Sequence, residues 1–224
     1  MPSFAVRRFD QAADLMAAAA AALVEHLARP LAVPHAVMLS GGQTPQPVYC
    51  ALGLRPLVVD PRAYVLFSDD RLVPADSAES NYHTALPLLR AAQVPPARVF
   101  RVRTELSLEV AAARYDEDLR GFLAGGGRIT LGFLGLGADG HTASLFTPAD
   151  VRRGQGALAV AVPRPAGPHR VSVTPALLAR VEQLVFLVAG ADKQEAVERL
   201  VANPAAVTAG LAVADVKAVE IWTA

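Results

Sequence analysis

The chain has 224 residues, enough to bury a large core as one domain spanning residues 1–224. Its 21 basic and 21 acidic residues balance, so no global field attracts nucleic acid or anionic lipid, and we expect neither nucleic acid nor a membrane as a partner. The lone cysteine, Cys50, cannot form an internal disulfide, and no secretory signal is recognisable, so we expect a cytoplasmic protein. We place Cys50 on a helix as a small buried residue.

The first half of the chain alternates apolar runs typical of strands with segments that begin at helix-capping residues. Asp10 is expected to cap the first helix, and Ser80 a helix that begins near Asn81. The first helix is predicted to end near Ala28. The other predicted elements are a strand over Ala36–Leu39, a helix beginning at Pro45, a strand over Ala63–Phe67 and a polar loop over Ser68–Glu79.

The second half continues the alternation, and apolar residues recur at helical spacing over Ser107–Leu123. The remaining predictions are strands from Ile129 and over Leu158–Val162, Val171–Val173, Leu184–Val188 and Ala218–Trp222, a helix from about Asp192 to Val201, and short rim loops over Arg152–Gly156 and Pro163–Pro168. This pattern predicts an α/β fold with a single domain, in which helices cover both faces of a mainly parallel β-sheet, as in Rossmann-like proteins.

The most informative segment follows the apolar run Leu131–Leu134, where a buried strand gives way to glycines and then to Asp139 and His141. Ligands bind at the carboxyl ends of strands in open α/β sheets, so these two side chains are predicted to lie in a site. Ser144 follows closely and raises the alternative of a serine hydrolase. The G-x-S-x-G turn of that chemistry is absent, which disfavours the alternative.

The glycines of residues 135–140 also fit the G-x-G-x-x-G pattern of dinucleotide-binding proteins. That pattern normally opens a long helix and is followed about 20 residues later by an acidic residue. Here Pro148 interrupts such a helix, and residues 151–170 contain no Asp or Glu. We therefore do not predict a dinucleotide cofactor.

A second glycine turn, Ser40-Gly41-Gly42-Gln43-Thr44-Pro45, follows the predicted strand that ends at Leu39. Glycines let the backbone approach a ligand, and Thr44 and Pro45 suit the first positions of a helix. Backbone N–H groups at a helix N-terminus favour phosphate, whereas the alternative is an ordinary turn. No Walker A pattern is present, so a nucleoside triphosphate is not expected.

Charged residues follow other predicted strands, beginning with Asp69, Asp70 and Arg71. Adjacent carboxylates repel each other unless a cation or ligand balances them, although a solvated loop is the alternative. Arg170 and Lys193 suit phosphate binding, or else lie on the surface as ordinary charges. No spacing of His, Cys and Asp suggests a metal site.

Three motifs, in the same chain order, resemble those of the 6-phosphogluconolactonase family. They are Ser40-Gly41-Gly42-Gln43-Thr44-Pro45; Asp69-Asp70-Arg71-Leu72-Val73-Pro74 with Ser80-Asn81-Tyr82; and Gly135-Leu136-Gly137-Ala138-Asp139-Gly140-His141-Thr142-Ala143-Ser144-Leu145-Phe146. The resemblance continues through Arg170–Thr174 and Gly190–Lys193 to Trp222, so it covers essentially the whole chain. It implies hydrolysis of 6-phosphoglucono-δ-lactone to 6-phosphogluconate in the pentose phosphate pathway, without a cofactor.

The wider group includes glucosamine-6-phosphate deaminases, which typically continue from the histidine as His-Ile-Ala-Phe-Asn-Glu-Pro. This chain instead reads Thr142-Ala143-Ser144-Leu145-Phe146 after His141, and it has Arg71 where the deaminases usually carry tyrosine. Both differences favour the lactonase. The departures from the lactonase pattern are Asp70 in place of the usual glutamate, Thr147 before the proline, and Ala179 where asparagine is frequent.

The resemblance and the residue types together suggest a mechanism. We hypothesise that neutral His141 takes a proton from the attacking water and returns it to the ring oxygen. Asp139 or Asp69 would orient His141 or stabilise its cation, and Arg71 or a backbone N–H would offset the oxyanion. The residues expected to hold the substrate and its phosphate are Ser40, Gly41, Gly42, Thr44, Arg170 and Lys193.

The sequence leaves two other functions open. One is a glucosamine-6-phosphate deaminase or isomerase, in which a carboxylate such as Asp69 moves a proton between carbons. The other is a sugar-phosphate sensor without catalysis. The sequence sets no oligomeric state.

Overall fold

Strands and helices alternate along the computed structural model, which describes residues 2–224. The strands are β1 (Ser3–Arg8), β2 (His35–Leu39), β3 (Ala63–Phe67), β4 (Asp69–Arg71), β5 (Val99–Phe100), β6 (Arg128–Leu134), β7 (Ala159–Val162), β8 (Arg170–Val173), β9 (Leu184–Val188) and β10 (Ala218–Thr223). The helices are α1 (Ala12–Ala28), α2 (Pro45–Leu52), α3 (Asn81–Ala91), α4 (Leu108–Ala124), α5 (Pro148–Arg153), α6 (Pro175–Leu178), α7 (Gln194–Ala202) and α8 (Thr208–Ala212).

The central sheet has seven strands in the order β1-β10-β9-β6-β2-β3-β5, and every pairing in it is parallel. A smaller antiparallel sheet, in the order β4-β8-β7, lies beside it. The predicted α/β fold with a mainly parallel sheet covered by helices is confirmed.

The strand order places a reversal between β2 and β6. From β2 the chain adds β3 and then β5 on one side, whereas β6, β9 and β10 build outward from the other side. The loops that follow β2 and β6 therefore diverge, and in open α/β sheets such a crevice at the carboxyl ends of the strands is where ligands bind.

Two hydrophobic cores, one on each face, explain why the central strands are apolar throughout. In β2, Ala36 and Met38 belong to the core shared with α4, α7, α8 and the small sheet, whereas Val37 and Leu39 belong to the core shared with α1, α2 and α3. A strand covered on both faces needs apolar residues at every position. The result is a rigid support for the loops at the strand ends.

Most predicted elements are present, and β3 and β9 have the predicted bounds. The side chain of Ser80 accepts a hydrogen bond from the backbone N–H of His83, so its capping role is confirmed. The predicted cap by Asp10 is wrong, because α1 begins at Ala12 with Gln11 in the capping position and no side-chain cap.

Other expectations also need correction. The segment 68–79 is not wholly a loop, because β4 forms there by pairing with β8. The segment 152–156 includes the end of α5, which Pro148 begins. Cys50 lies on α2 as expected but is exposed. The sequence pattern does not predict β1, β5, α6 or α8. Within residues 2–224, no helix combines the length and apolar character needed to cross a bilayer.

Candidate active site

The loops after β2, β3, β6 and β9 line one cleft of about 580 Å³ at the carboxyl ends of these strands. The lining brings together residues that sequence analysis selected from four separate segments: Ser40, Gly41, Gly42, Thr44, Asp69, Arg71, His141 and Lys193. Neither Asp139 nor Arg170 belongs to the lining, but Asp139 contacts His141, which does.

His141 and Asp139 form a hydrogen-bonded pair, with Nδ1 of the imidazole 2.5 Å from Oδ1 of the carboxylate. The backbone N–H of His141 donates to the same oxygen at 3.2 Å. Partial burial raises the pKa of Asp139, but the hydrogen bonds from His141 outweigh it and hold this pKa below its ordinary value. An ionised Asp139 accepts the proton on Nδ1, which leaves Nε2 as the ring nitrogen able to take a proton from water.

Glycines make the turn that brings this pair together. The N–H of Gly137 donates to the carbonyl of His141 at 2.8 Å, and the N–H of Gly140 donates to that of Gly137 at 2.9 Å. Gly140 has a φ of +88°, and a Cβ there would lie 2.7 Å from Cγ1 of Val207. The backbone closes tightly only because these positions carry no side chain.

Asp69 lines the cleft with its carboxylate held by three side chains. The hydroxyl of Ser144 donates to Oδ2 at 2.6 Å, and Oδ1 accepts from the hydroxyl of Ser68 at 2.8 Å and from the amide of Asn81 at 3.3 Å. Of the two acids considered as partners of His141, Asp139 makes the hydrogen bond in the described structure. The carboxyl group of Asp69 is instead held in the cleft wall by Ser144, Ser68 and Asn81.

Ser144 is buried and has no contact with the cleft. Its hydroxyl is committed to Asp69, and its backbone N–H donates to Oγ of Ser172 at 3.2 Å. The imidazole of His141 bonds to Asp139 rather than to Ser144. Ser144 is therefore not placed as a nucleophile, in agreement with the missing G-x-S-x-G turn.

Asp70, the second acid of the pair, is 1% exposed and anchors the start of α3. Its carboxylate accepts hydrogen bonds from the N–H of Asn81 at 2.7 Å, the N–H of Tyr82 at 3.1 Å and the hydroxyl of Ser80 at 3.1 Å. Burial raises the pKa of Asp70 despite these bonds, and the charge of Asp69 adds to the effect. Each of the two adjacent carboxyl groups thus has its own hydrogen-bond donors. Those to Asp69 hold it in the cleft wall, and those to Asp70 hold it at the start of α3.

Arg71 and Arg170 face each other across the pairing of β4 and β8. Arg71 lines the cleft, and its guanidinium donates to the carbonyl of Glu79 at 2.7 Å. The guanidinium of Arg170 donates to the carbonyl of Pro168. Burial lowers the pKa of Arg170, and the positive charge of Arg71 lowers it further. Its contact with a phosphate stays a prediction.

The glycine turn after β2 is shaped by its neighbours. A Cβ on Gly41 would lie 1.8 Å from Oδ1 of Asn81, and Gly42 has a φ of +107°. Thr44 occupies the capping position of α2 but its side chain makes no capping bond. From below, the buried hydroxyl of Tyr49 donates to the carbonyl of Ser40 at 2.8 Å. The turn is therefore held open toward the cleft, where its backbone is available to an anion.

Lys193 approaches the same cleft from the loop after β9, with Nζ 3.5 Å from Oδ2 of Asp192. Its long side chain and partial exposure suit a positive charge in the cleft that the glycine turn also lines. The sequence does not mark Asn81 or Tyr49 as site residues, because their contacts depend on the fold. Among residues 2–224, no group of three or more His, Cys, Asp and Glu side chains is arranged to hold a metal ion.

A sequence model of the family described as glucosamine-6-phosphate isomerases/6-phosphogluconolactonase matches residues 10–221. The chain is 34% identical over 174 residues to the 6-phosphogluconolactonase of Treponema pallidum, covering 74% of this chain and 72% of that protein. It is 37% identical over 177 residues to the 6-phosphogluconolactonase of Synechocystis, covering 75% and 72%.

Solved structures agree with the sequence comparisons. The 6-phosphogluconolactonase of Thermotoga maritima matches with a TM-score of 0.79 and 25% identity, covering 100% of both chains. The similarity thus extends over the whole fold. The chain belongs to the glucosamine-6-phosphate isomerase/6-phosphogluconolactonase family.

Proposed function

We propose that the protein hydrolyses 6-phosphoglucono-δ-lactone to 6-phosphogluconate, a reaction of the pentose phosphate pathway. The observation that carries the proposal is the pairing of His141 with Asp139 in the same cleft as the glycine turn and Lys193. A general base and an anion-binding wall are the two elements that this substrate requires. The names of the relatives in Treponema pallidum and Synechocystis support the same activity.

The phosphate is assigned to the end of the cleft formed by Gly41, Gly42, Thr44 and Lys193. A phosphate monoester carries roughly −1.5 to −2 charges at pH 7, which backbone N–H groups and an ammonium group complement. Ser40 closes this end, and Arg170 is proposed to reach the phosphate when substrate is bound. With the phosphate held there, the lactone ring extends toward His141.

His141 then acts as base and acid in turn. Nε2 removes a proton from water as the water oxygen bonds to the lactone carbonyl carbon, and the carbonyl oxygen becomes an oxyanion. When the bond between this carbon and the ring oxygen breaks, the imidazolium returns the proton to the ring oxygen. The products are a carboxylic acid, which ionises in water, and a free hydroxyl on the sugar chain.

Three charged side chains support these steps. Asp139 orients the imidazole and stabilises the imidazolium, as the acid of a catalytic triad does. Arg71 offsets the oxyanion, because it is the cation that lines the cleft from β4. Asp69 is assigned to the substrate hydroxyls or to the stabilisation of the imidazolium from the cleft wall.

The test measures two reactions with the same preparation: 6-phosphogluconate formation from the lactone, and ammonia release from glucosamine 6-phosphate. We expect lactone hydrolysis well above the spontaneous rate and no ammonia. Ammonia release without lactonase activity would identify a deaminase. Binding of a sugar phosphate without either reaction would identify a sensor.

We also propose a cytoplasmic location and treat residues 1–224 as one domain. The lone Cys50 supports the location, because it leaves no internal disulfide that an oxidising compartment would stabilise.

A further inference from the structure

His141 makes a second side-chain contact besides its hydrogen bond to Asp139. Its ring packs against Phe146, with centroids 4.7 Å apart and planes at 41°. On Phe146, in turn, lies the guanidinium of Arg164, whose Cζ is 3.8 Å from the ring centroid. The three side chains form one stack, which we call the His141 stack: His141, Phe146 and Arg164.

The outer member of the His141 stack comes from a well-anchored loop. Arg164 lies just after β7, in the connection between β7 and β8, whose antiparallel pairing ends with Val162 opposite Arg170. The N–H of Arg164 donates to Nδ1 of His169 at 3.0 Å across this connection. Among the described residues, Arg164 has no acidic side chain within 4 Å, and its guanidinium lies over the ring of Phe146.

The stack supplies a restraint that Asp139 alone cannot. One hydrogen bond at Nδ1 restrains that atom but still allows the imidazole plane to tilt. The ring of Phe146, inclined by 41° to the imidazole, packs against it and limits this tilting, and so restricts the direction of Nε2. A cation over the ring of Phe146 holds that ring in turn, since an arginine guanidinium stacks favourably on an aromatic ring.

We propose that Arg164 is a positioning residue for the general base: through Phe146, it holds the imidazole of His141 in the orientation that hydrolysis requires. This inference rests on the proposed function, because it assigns the loop between β7 and β8 a role in that reaction. Arg164 is not among the residues that line the cleft, and in this assignment it does not touch the substrate.

The test compares Arg164→Ala with Arg164→Lys and with the control Arg55→Ala, which removes an exposed arginine from the loop after α2. For Arg164→Ala we expect kcat to fall about tenfold, in line with the cost of a misplaced catalytic group, and KM to change by less than about twofold. Arg164→Lys keeps a cation over Phe146 and is expected to recover most of the loss. Arg55→Ala should match the wild type.

A second readout does not depend on activity. The imidazole Cε1–H signal of His141, identified by its loss in His141→Gln, senses the ring current of Phe146. The chemical shift of this signal should change in Arg164→Ala and should be the same as in the wild type in Arg55→Ala. An unchanged signal with unchanged kcat would overturn the inference, and a raised KM at normal kcat would do so by making Arg164 a substrate-binding residue. Failure of the proposed function is distinct, because the wild type itself would then lack lactonase activity.

Discussion

No side chain fits between Gly137 and the imidazole of His141: a Cβ on Gly137 would lie 2.3 Å from Nδ1 and 2.4 Å from Oδ1 of Asp139. The glycine is thus required for the close approach of Asp139 and His141, the proposed general base. Gly137→Ala should displace the pair and lower kcat roughly 10- to 100-fold, because a shift of about 1 Å in a catalytic group has that effect. Steady-state kinetics and circular dichroism measure the rate and the fold.

The matched control is Gly121→Ala, on the exposed side of α4, where a Cβ meets nothing within 4 Å. Alanine there should leave kcat unchanged and stabilise the helix by about 0.5–1 kcal/mol. Normal turnover in Gly137→Ala would show that the tight turn does not hold the base in place.

Asp139→Asn tests the tautomer assignment. An asparagine amide can offer an N–H to Nδ1, which then keeps its lone pair while the proton moves to Nε2, so the base is lost. We expect kcat to fall roughly 100- to 10,000-fold, the range of general acid–base catalysis. Asp215→Asn, at an exposed position near the C-terminus, is the control for loss of one negative charge. If both variants turn over normally, Asp139 does not orient His141.

The variant Asp70→Asn tests whether Asp70 stabilises the fold without taking part in catalysis. Asp70→Asn would replace one of two acceptor oxygens with an amide that faces backbone N–H groups, so we expect a loss of about 1–3 kcal/mol in unfolding free energy. Turnover by the remaining folded protein should be close to normal, because Asp70 does not line the cleft.

The pH dependence of this loss has a defined sign. The pKa of Asp70 is raised above 3.8 on folding, mainly by burial, so the folded state binds the proton more readily than the unfolded state. The stability that Asp70 contributes is therefore fully present below its unfolded pKa and declines as pH rises through its folded pKa. In urea unfolding, the difference between wild type and Asp70→Asn should shrink from acidic to neutral pH. A difference that grows with pH would contradict the assignment.

Lys193→Ala tests the phosphate end of the cleft. Removal of one cation should raise KM for the phosphorylated lactone about tenfold, equivalent to about 1.4 kcal/mol, with a smaller change in kcat. Unphosphorylated glucono-δ-lactone serves as the control substrate, because its KM should not respond to the variant. The other lysine of the chain, Lys217, gives a matched control variant. An equal effect on both substrates would place the phosphate elsewhere.

The sequence predicts the central strands well and the peripheral ones poorly, for a physical reason. β3 and β9 have continuous apolar runs because both of their faces are covered. β1 is exposed along most of its length, and Asp69–Arg71 is wholly charged. These two strands form because their backbones pair with segments far away in the chain, β10 and β8, and no local pattern reveals that.

The same distinction applies to the candidate site. Asp139 and His141 are two positions apart, so a glycine-rich turn already suggests that they meet. The hydrogen bond between Ser144 and Asp69 joins residues 75 positions apart, and Asn81 packs against Gly41 only because α3 is anchored by Asp70. Spacing can nominate such residues, but only the folded chain shows which of them touch.

The central claim is that His141 is the general base of a lactonase. The most direct measurement is 6-phosphogluconate formation from freshly generated 6-phosphoglucono-δ-lactone, with spontaneous hydrolysis subtracted, for wild type and His141→Ala side by side. We predict fast hydrolysis by wild type and a roughly 100- to 10,000-fold lower kcat in the folded variant. Near-normal turnover in His141→Ala would contradict the mechanism, and a wild-type rate no higher than the spontaneous one would contradict the function.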